Sequence, residues 1–445
     1  MISHFFYNRV IRRPDEEERK QLHKRTGTPA NQKNTLPQSH KRIDDAAKII
    51  GKYVKNKLVA QLPEDDAIER LNKWLDFIDQ SLRVILIRVA DERTAFTIFE
   101  TMNDRGLRLS AADLLKNRLY AIAESRRDEV IQKWNSMTGV LESIEGQEEA
   151  VLEYIRCYWV AHYGHTRTKE LYDKMKEKAK NPQQAVFLAA ELEQYAQDYA
   201  AIVLSSHAKW ASRGASVRSK IEIIQLLGVT QLRPVLLAAM NKFTDKEFNL
   251  LLDACVVWSV RSLLGGVSSG SIEAHYSRAA QRITKGEIKK TAEVKKEMAS
   301  VIPNNRRFGD SVKTVSVAPQ KMARYYLTEM QKQKDAKSSA EYTPSTGDDI
   351  TLEHVLPEKP KDGEWDHFSA EDRKQYTHRL GNLALLTGSA NSKADNVPYK
   401  QKEPTLKASD FSLTRMIAGK VEWTKDDIDQ RQAELAQLAV KAWSL

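Results

Sequence analysis

Side chains able to do hydrolytic chemistry cluster near the C-terminal end of the sequence. The segment ITLEHVLP (350–357) carries an adjacent acid and histidine, Glu353 and His354, and is followed by RLGNLALLT (379–387) and NSKADNVPYKQK (391–402). A neutral histidine accepts a proton from water near pH 7. Carboxylate and amide oxygens suit a hard divalent cation, which stabilises charge on a phosphate, and a lysine holds a phosphate as a point charge. The three segments therefore supply what hydrolysis of a phosphodiester with one metal ion requires.

Two short strands and a polar helix or loop must position these side chains. The apolar pattern predicts one strand at 350–357 and a turn followed by a second strand at 379–387. Adjacent strand residues point to opposite faces, so Glu353 and His354 can share a site only where the strand twists or the metal lies at its edge. A buried histidine that bonds to a backbone carbonyl is the alternative for His354. His378 is interpreted as a structural or surface residue.

The order of these motifs resembles a known family. EHVLP, GNLALL and N…N-P-Y-x-x-K look like the HNH-type (ββα-metal) nuclease domain of GmrSD-type modification-dependent restriction enzymes. The family's final helix is similar to the closing pattern Trp423, Ile428, Arg431, Leu435 and Trp443. FETMNDRGLRLSAADLLKNRLY (99–120) resembles the late part of the family's ParB-like N-terminal half, and IPNNRRF (302–308) and RYYLTEM (324–330) resemble the helical stretch before the nuclease.

The resemblance implies roles for individual residues. His354 would be the general base, and Glu353 and Asn391 would hold the metal ion, Mg²⁺ or Mn²⁺. Asn382 would hold the loop between the strands, and Lys402 would contact phosphate. These roles are expectations carried over from the family.

Three further residues match the family without a settled role. Asn396 corresponds to a second asparagine of the nuclease motif and could contact DNA or a nucleotide. Asn103 and Arg105 belong to a loop that could contact DNA or a nucleotide, and a capped helix end is the alternative.

One departure concerns nucleotide chemistry. The family's N-terminal half normally carries an Asp-Gly-Gln-Gln-Arg motif that drives nucleotide hydrolysis, and this sequence has no such run. We therefore predict no nucleotide cofactor for this chain alone. Either the chain is a truncated or split gene product, or a partner chain supplies the missing lobe.

Composition and charge exclude several classes of protein and bear on the kind of partner. The 445 residues are 41% hydrophobic and 29% charged, a composition that excludes a collagen-like chain, a low-complexity chain and a disulfide scaffold. Two cysteines, no membrane-length apolar run and no visible signal peptide favour a cytoplasmic protein without membrane contact. The net charge of +10 is concentrated in residues 1–60 (+8) and 282–345 (+7), whereas 346–445 carries −3. Basic blocks suit a DNA partner, and solvated helix faces are the alternative.

The predicted fold is mainly α (α+β), a helical body with a remnant of an α/β lobe and a small C-terminal ββα-metal domain. We predict a partial ParB-like lobe over 1–125, including a strand at 84–89, a helical middle domain over 126–340 and an HNH-like nuclease domain over 346–445.

The predicted function is a metal-dependent DNA endonuclease of a restriction or phage-defence system, and its predicted partner is DNA, which includes modified phage DNA. The alternative is a non-catalytic DNA-binding or regulatory subunit that needs a partner carrying the nucleotide motif. A ribonuclease is a third hypothesis, because such a metal site does not itself distinguish the sugar of RNA from that of DNA.

Overall fold

The computed structural model describes residues 38–81, 111–144, 147–211, 213–335, 350–361, 363–394 and 396–445. These residues belong to two compact units, with 38–81 in the first and those from 111 onward in the second. The strand predicted at 84–89 and the helix end predicted at Asn103–Gly106 lie outside the described residues.

The first unit is helical where it is described. Helix α1 (Gln38–Tyr53) continues through a π-helical turn, Val54–Leu58, and is followed by α2 (Glu64–Ser81). The first turn of α2 carries three carboxylates, which interact favourably with the partial positive charge at a helix N-terminus. The spacing of Leu71, Trp74, Leu75 and Ile78 predicts a helix, and all four residues lie in α2.

Among the described residues of the second unit, twelve helices form the body. In chain order they are α3 (Ala111–Ala123), α4 (Arg127–Leu141), α5 (Gln147–Tyr163), α6 (Thr168–Lys178), α7 (Pro182–Val203), α8 (Ala215–Leu227), α9 (Arg233–Lys242), α10 (Asp245–Leu264), α11 (Ser269–Thr284), α12 (Thr291–Met298), α13 (Asn305–Val312) and α14 (Gln320–Asp335). Short 3₁₀ turns lie at Glu124–Arg126, Ala208–Trp210 and Thr230–Leu232.

The apolar stripes of these helices form a continuous core. Leu115, Leu119 and Ile122 lie on the buried face of α3, as the three- and four-residue spacing predicts. Four tryptophans lie in amphipathic stretches, a pattern typical of core residues, and all four are buried, namely Trp134, Trp159, Trp210 and Trp258.

The C-terminal segment alternates strands and short helices. Its elements are β1 (Ile350–His354), α15 (Ala370–Tyr376), a 3₁₀ turn (Leu380–Asn382), β2 (Leu383–Thr387), α16 (Gly388–Ala394), α17 (Tyr399–Lys407), α18 (Ser412–Arg415) and α19 (Lys425–Ala442). β1 and β2 are antiparallel, with Ile350 opposite Thr387 and His354 opposite Leu383. Both strands were predicted, although β1 ends at His354 rather than continuing to Pro357.

Strand β2 lies between two apolar clusters. Leu383 and Leu385 belong to the large core that continues into the helical body, and Ala384, on the other face, belongs to a smaller cluster with Trp423 and Ile428. Burial of both faces explains why the sequence of β2 is apolar at successive positions rather than alternating between apolar and polar residues.

The mainly α fold class is confirmed, and the described part of the chain contains one sheet of two strands. Among its helices, none is long and apolar enough to cross a membrane. The division of the chain near residues 125 and 340 stays a prediction.

Candidate active site

Glu353 is held by an enclosed ion pair. It is the fourth residue of β1, and its side chain points toward α17, where Lys402 is fully buried. Lys402 Nζ lies 2.5 Å from Glu353 Oε1 and donates a second hydrogen bond to the backbone oxygen of His354 at 2.8 Å. A buried charge is tolerated only when it is paired and hydrogen-bonded, and this pair meets both conditions.

His354 has different partners from its neighbour Glu353. Its Nε2 lies 3.5 Å from Glu358 Oε1 and 3.4 Å from His378 Nδ1, and its ring meets the His378 ring edge-on. Burial lowers the pKa of His354 to about 4, against the opposing effect of the Glu358 carboxylate. The imidazole is therefore neutral at pH 7 and can accept a proton.

Asn382 fastens the loop that follows β1 to the start of β2. It is fully buried, its Oδ1 accepts hydrogen bonds from the Leu356 N–H and from Trp423 Nε1, and its Nδ2 donates to the backbone oxygens of Leu356 and Thr377. These four hydrogen bonds occupy both acceptor sites of Oδ1 and both N–H groups of Nδ2. Asn382 thus joins the loop after β1 to the start of β2, and the role that the family resemblance implies for it stays a prediction.

Helix α19 supports the turn that carries Asn382. The Arg431 guanidinium is buried and donates to the backbone oxygens of Leu380, Gly381 and Leu383. Gln432 accepts from the Gly381 N–H. Gly381 is pressed so closely against α19 that a Cβ there would lie 2.3 Å from the Ile428 oxygen. The glycine of the Gly-Asn pair is required by this close approach.

Helix α16 brings Asn391 to the hairpin. The helix packs against both strands and against α17. Asn391 is partly buried, and its Oδ1 has no hydrogen-bond partner among the described residues. An amide oxygen that is shielded from water and unpartnered is a suitable ligand for a hard cation. Asn396, in the turn before α17, is exposed.

The structure thus forms two groups from the predicted residues. Glu353 and Lys402 form one, and His354 lies in the other with Glu358 and His378. Glu358 is not among the residues that the sequence motifs indicate, and His378 is a structural or surface residue by the sequence-based interpretation. The antiparallel pairing is the signal that could have found His378, because it brings the residues before β2 to the end of β1.

Comparison with known proteins identifies the family. Residues 302–438 match the C-terminal domain of GmrSD restriction endonucleases, and residues 2–120 match the GmrSD restriction endonuclease N-terminal domain. Together the two matches cover more than half of the 445 residues.

The chain belongs to the GmrSD restriction endonuclease family. The resemblance predicted from the motifs is confirmed, and the chain is a DNA endonuclease of phage defence. No curated protein matches it. The GmrSD C-terminal match contains both groups of the candidate site. Asn103 and Arg105 fall within the N-terminal match and lie outside the described residues.

Proposed function

We propose that this GmrSD-family chain is a metal-dependent endonuclease of the HNH type that hydrolyses DNA phosphodiesters with His354 as general base. The observation that carries the proposal is the position of His354. A neutral, largely buried imidazole stands at the end of β1, beside the loop that Asn382 fastens, with a carboxylate 3.5 Å from its Nε2.

In this mechanism His354 Nε2 takes a proton from water while the water oxygen attacks phosphorus and the phosphorus–oxygen ester bond breaks. The leaving oxygen takes a proton from a second water molecule, and the hydroxide that remains is neutralised when His354 returns its proton. The Glu358 carboxylate stabilises the imidazolium that forms, because an opposite charge at this distance favours the protonated ring. His378 restricts the orientation of the ring.

The expected metal ion is Mg²⁺ or Mn²⁺, held by Glu353 and Asn391. The unpartnered Asn391 Oδ1 fits such a ligand set, and Glu353 adds a carboxylate. When bound, the ion would neutralise charge on the phosphate and on the leaving oxygen.

Lys402 is assigned a different task from the one implied by the family resemblance. Contact with phosphate would require its fully buried ammonium to leave Glu353. The contacts support a positioning role instead, in which Lys402 orients the Glu353 carboxylate and the backbone of His354.

The proposed partners are DNA, including modified phage DNA, and a chain that carries the nucleotide motif absent here. DNA contact by the basic region is supported by Arg306 and Arg307, which are exposed in the first turn of α13. Arg324, from the same region, is instead used internally and donates to the backbone oxygen of Ile350 in β1.

Cleavage of modified and unmodified DNA in Mg²⁺ or Mn²⁺ tests the proposal. We expect His354→Ala to lose about 10²- to 10⁴-fold in rate, the range for removal of a general base. His275→Ala, a histidine of α11, is the matched control and should retain the wild-type rate. Equal cleavage by the His354 variant would exclude the assigned base. DNA binding without cleavage by the wild type would favour the regulatory-subunit alternative, and RNA of the same sequence tests sugar selection.

A further inference from the structure

Three donor atoms of different side chains converge at the end of β1. They are His354 Nε2, Glu358 Oε1 and His378 Nδ1, separated by 3.4 Å between the two nitrogens and by 3.5 and 3.9 Å between each nitrogen and the oxygen. All three lie within the spacing that one metal ion can bridge.

The size of this triangle matches a metal–ligand distance. A circle through three points with these separations has a radius of about 2.1 Å, which is the usual length of zinc–nitrogen and zinc–carboxylate bonds. A cation can therefore contact all three atoms without movement of the backbone.

The donor set selects the kind of cation. Two imidazole nitrogens and one carboxylate suit borderline ions such as Zn²⁺, whereas Mg²⁺ prefers oxygen ligands and keeps several waters. The site is also accessible, because the side chains of Glu358 and His378 are 49% and 34% exposed while that of His354 is 11% exposed.

We propose that His354, Glu358 and His378 form a binding site for a borderline divalent metal ion, with Zn²⁺ as the representative ion, and that its occupation inhibits DNA cleavage. The site is separate from the Mg²⁺ or Mn²⁺ position assigned to Glu353 and Asn391. Inhibition follows because a nitrogen that binds a metal ion has no lone pair left to accept a proton from water. This second part rests on the proposed function of His354, and the first part does not.

Zn²⁺ binding to the full-length chain tests the first part. Competition with a chromophoric zinc chelator gives the number and affinity of sites in the wild type and in His378→Gln and Glu358→Gln. We expect each variant to lose one site, or to bind there more weakly by at least the roughly 10- to 100-fold that loss of an outer metal contact costs. Both cysteines are buried and remain unchanged in every variant.

Matched controls keep the binding result specific. His275→Gln and Glu329→Gln remove one histidine and one carboxylate elsewhere and should bind Zn²⁺ as the wild type does. Urea unfolding without Zn²⁺ verifies that each variant is folded. Unchanged stoichiometry and affinity in a folded His378→Gln would overturn the site and leave the trio as a hydrogen-bonded cluster.

Cleavage in Mg²⁺ with increasing Zn²⁺ tests the second part, each variant being compared with its own rate before Zn²⁺ addition. We expect the wild type and the two controls to be inhibited, and His378→Gln to need at least about tenfold more Zn²⁺. Zinc binding without inhibition would refute the regulatory role alone. Absence of cleavage in Mg²⁺ would count against the proposed function, while the binding result would stand independently.

Discussion

The ammonium of Lys402 and the carboxylate of Glu353 form an ion pair enclosed between α17 and β1, with 2.5 Å between Nζ and Oε1. Because Lys402 also donates to the backbone oxygen of His354, one side chain fixes both residues of the acid–histidine motif. The pair directs Glu353 toward α17 and leaves His354 to meet Glu358 and His378.

Lys402→Met tests whether this lysine positions Glu353 or contacts phosphate. Removing one partner leaves the other charge buried and uncompensated, so we expect the free energy of unfolding to fall by about 3–5 kcal/mol. Urea unfolding measures this loss. Glu353→Gln in the same chain should recover part of it, because a neutral amide needs no counter-charge.

A phosphate-contacting lysine would behave differently. Lys402→Met would then keep its stability and raise the KM for DNA. Lys400→Met, in the same helix but exposed, is the control and should leave the unfolding midpoint unchanged.

Asn382→Ala is expected to loosen the junction between β1 and β2. The substitution leaves buried groups of Leu356, Thr377 and Trp423 without their partner, and each unsatisfied group costs about 1–3 kcal/mol. Differential scanning calorimetry should therefore show a lower Tm. Asn135→Ala, at an exposed position of α4, serves for comparison, and an equal effect of the two changes would contradict the loop-holding role.

Gly381→Ala tests the close approach of the Gly-Asn turn to α19. The added Cβ would meet the Ile428 oxygen at 2.3 Å, so the turn or the helix must shift, at a cost of about 1–3 kcal/mol. Gly139→Ala is the matched control, since a Cβ there meets nothing within 4 Å and alanine favours a helix. A Gly381 variant as stable as the control would show that the turn has room.

The hairpin can be predicted from the sequence because the signals for it are local. Apolar runs within 350–357 and 379–387 predict strands, and Gly381 with Asn382 predicts the turn. The sequence alone does not show why Gly381 and Asn382 are required at these positions. Gly381 is required by its distance from α19, and Asn382 is completed by Trp423, which lies 41 residues away along the chain.

The groups around the acid–histidine pair also depend on tertiary structure. Strand alternation indicated that Glu353 and His354 face opposite sides. It could not show that a buried Lys402 would occupy one side, or that Glu358 and His378 would meet His354 on the other. Such contacts are set by how α17 and the loop after β1 pack.

The burial of β2 on both faces holds the C-terminal segment to the helical body even when the backbone between them is cut. One face of this strand completes the core of the helical body, and the other completes the cluster around Trp423. Separating the C-terminal segment from the helical body would expose Leu383 and Leu385 to water, together with the helical surface that covers them. A backbone cut between residues 335 and 350 should therefore nick the chain without releasing either fragment, so the C-terminal segment is inseparable from its helical support.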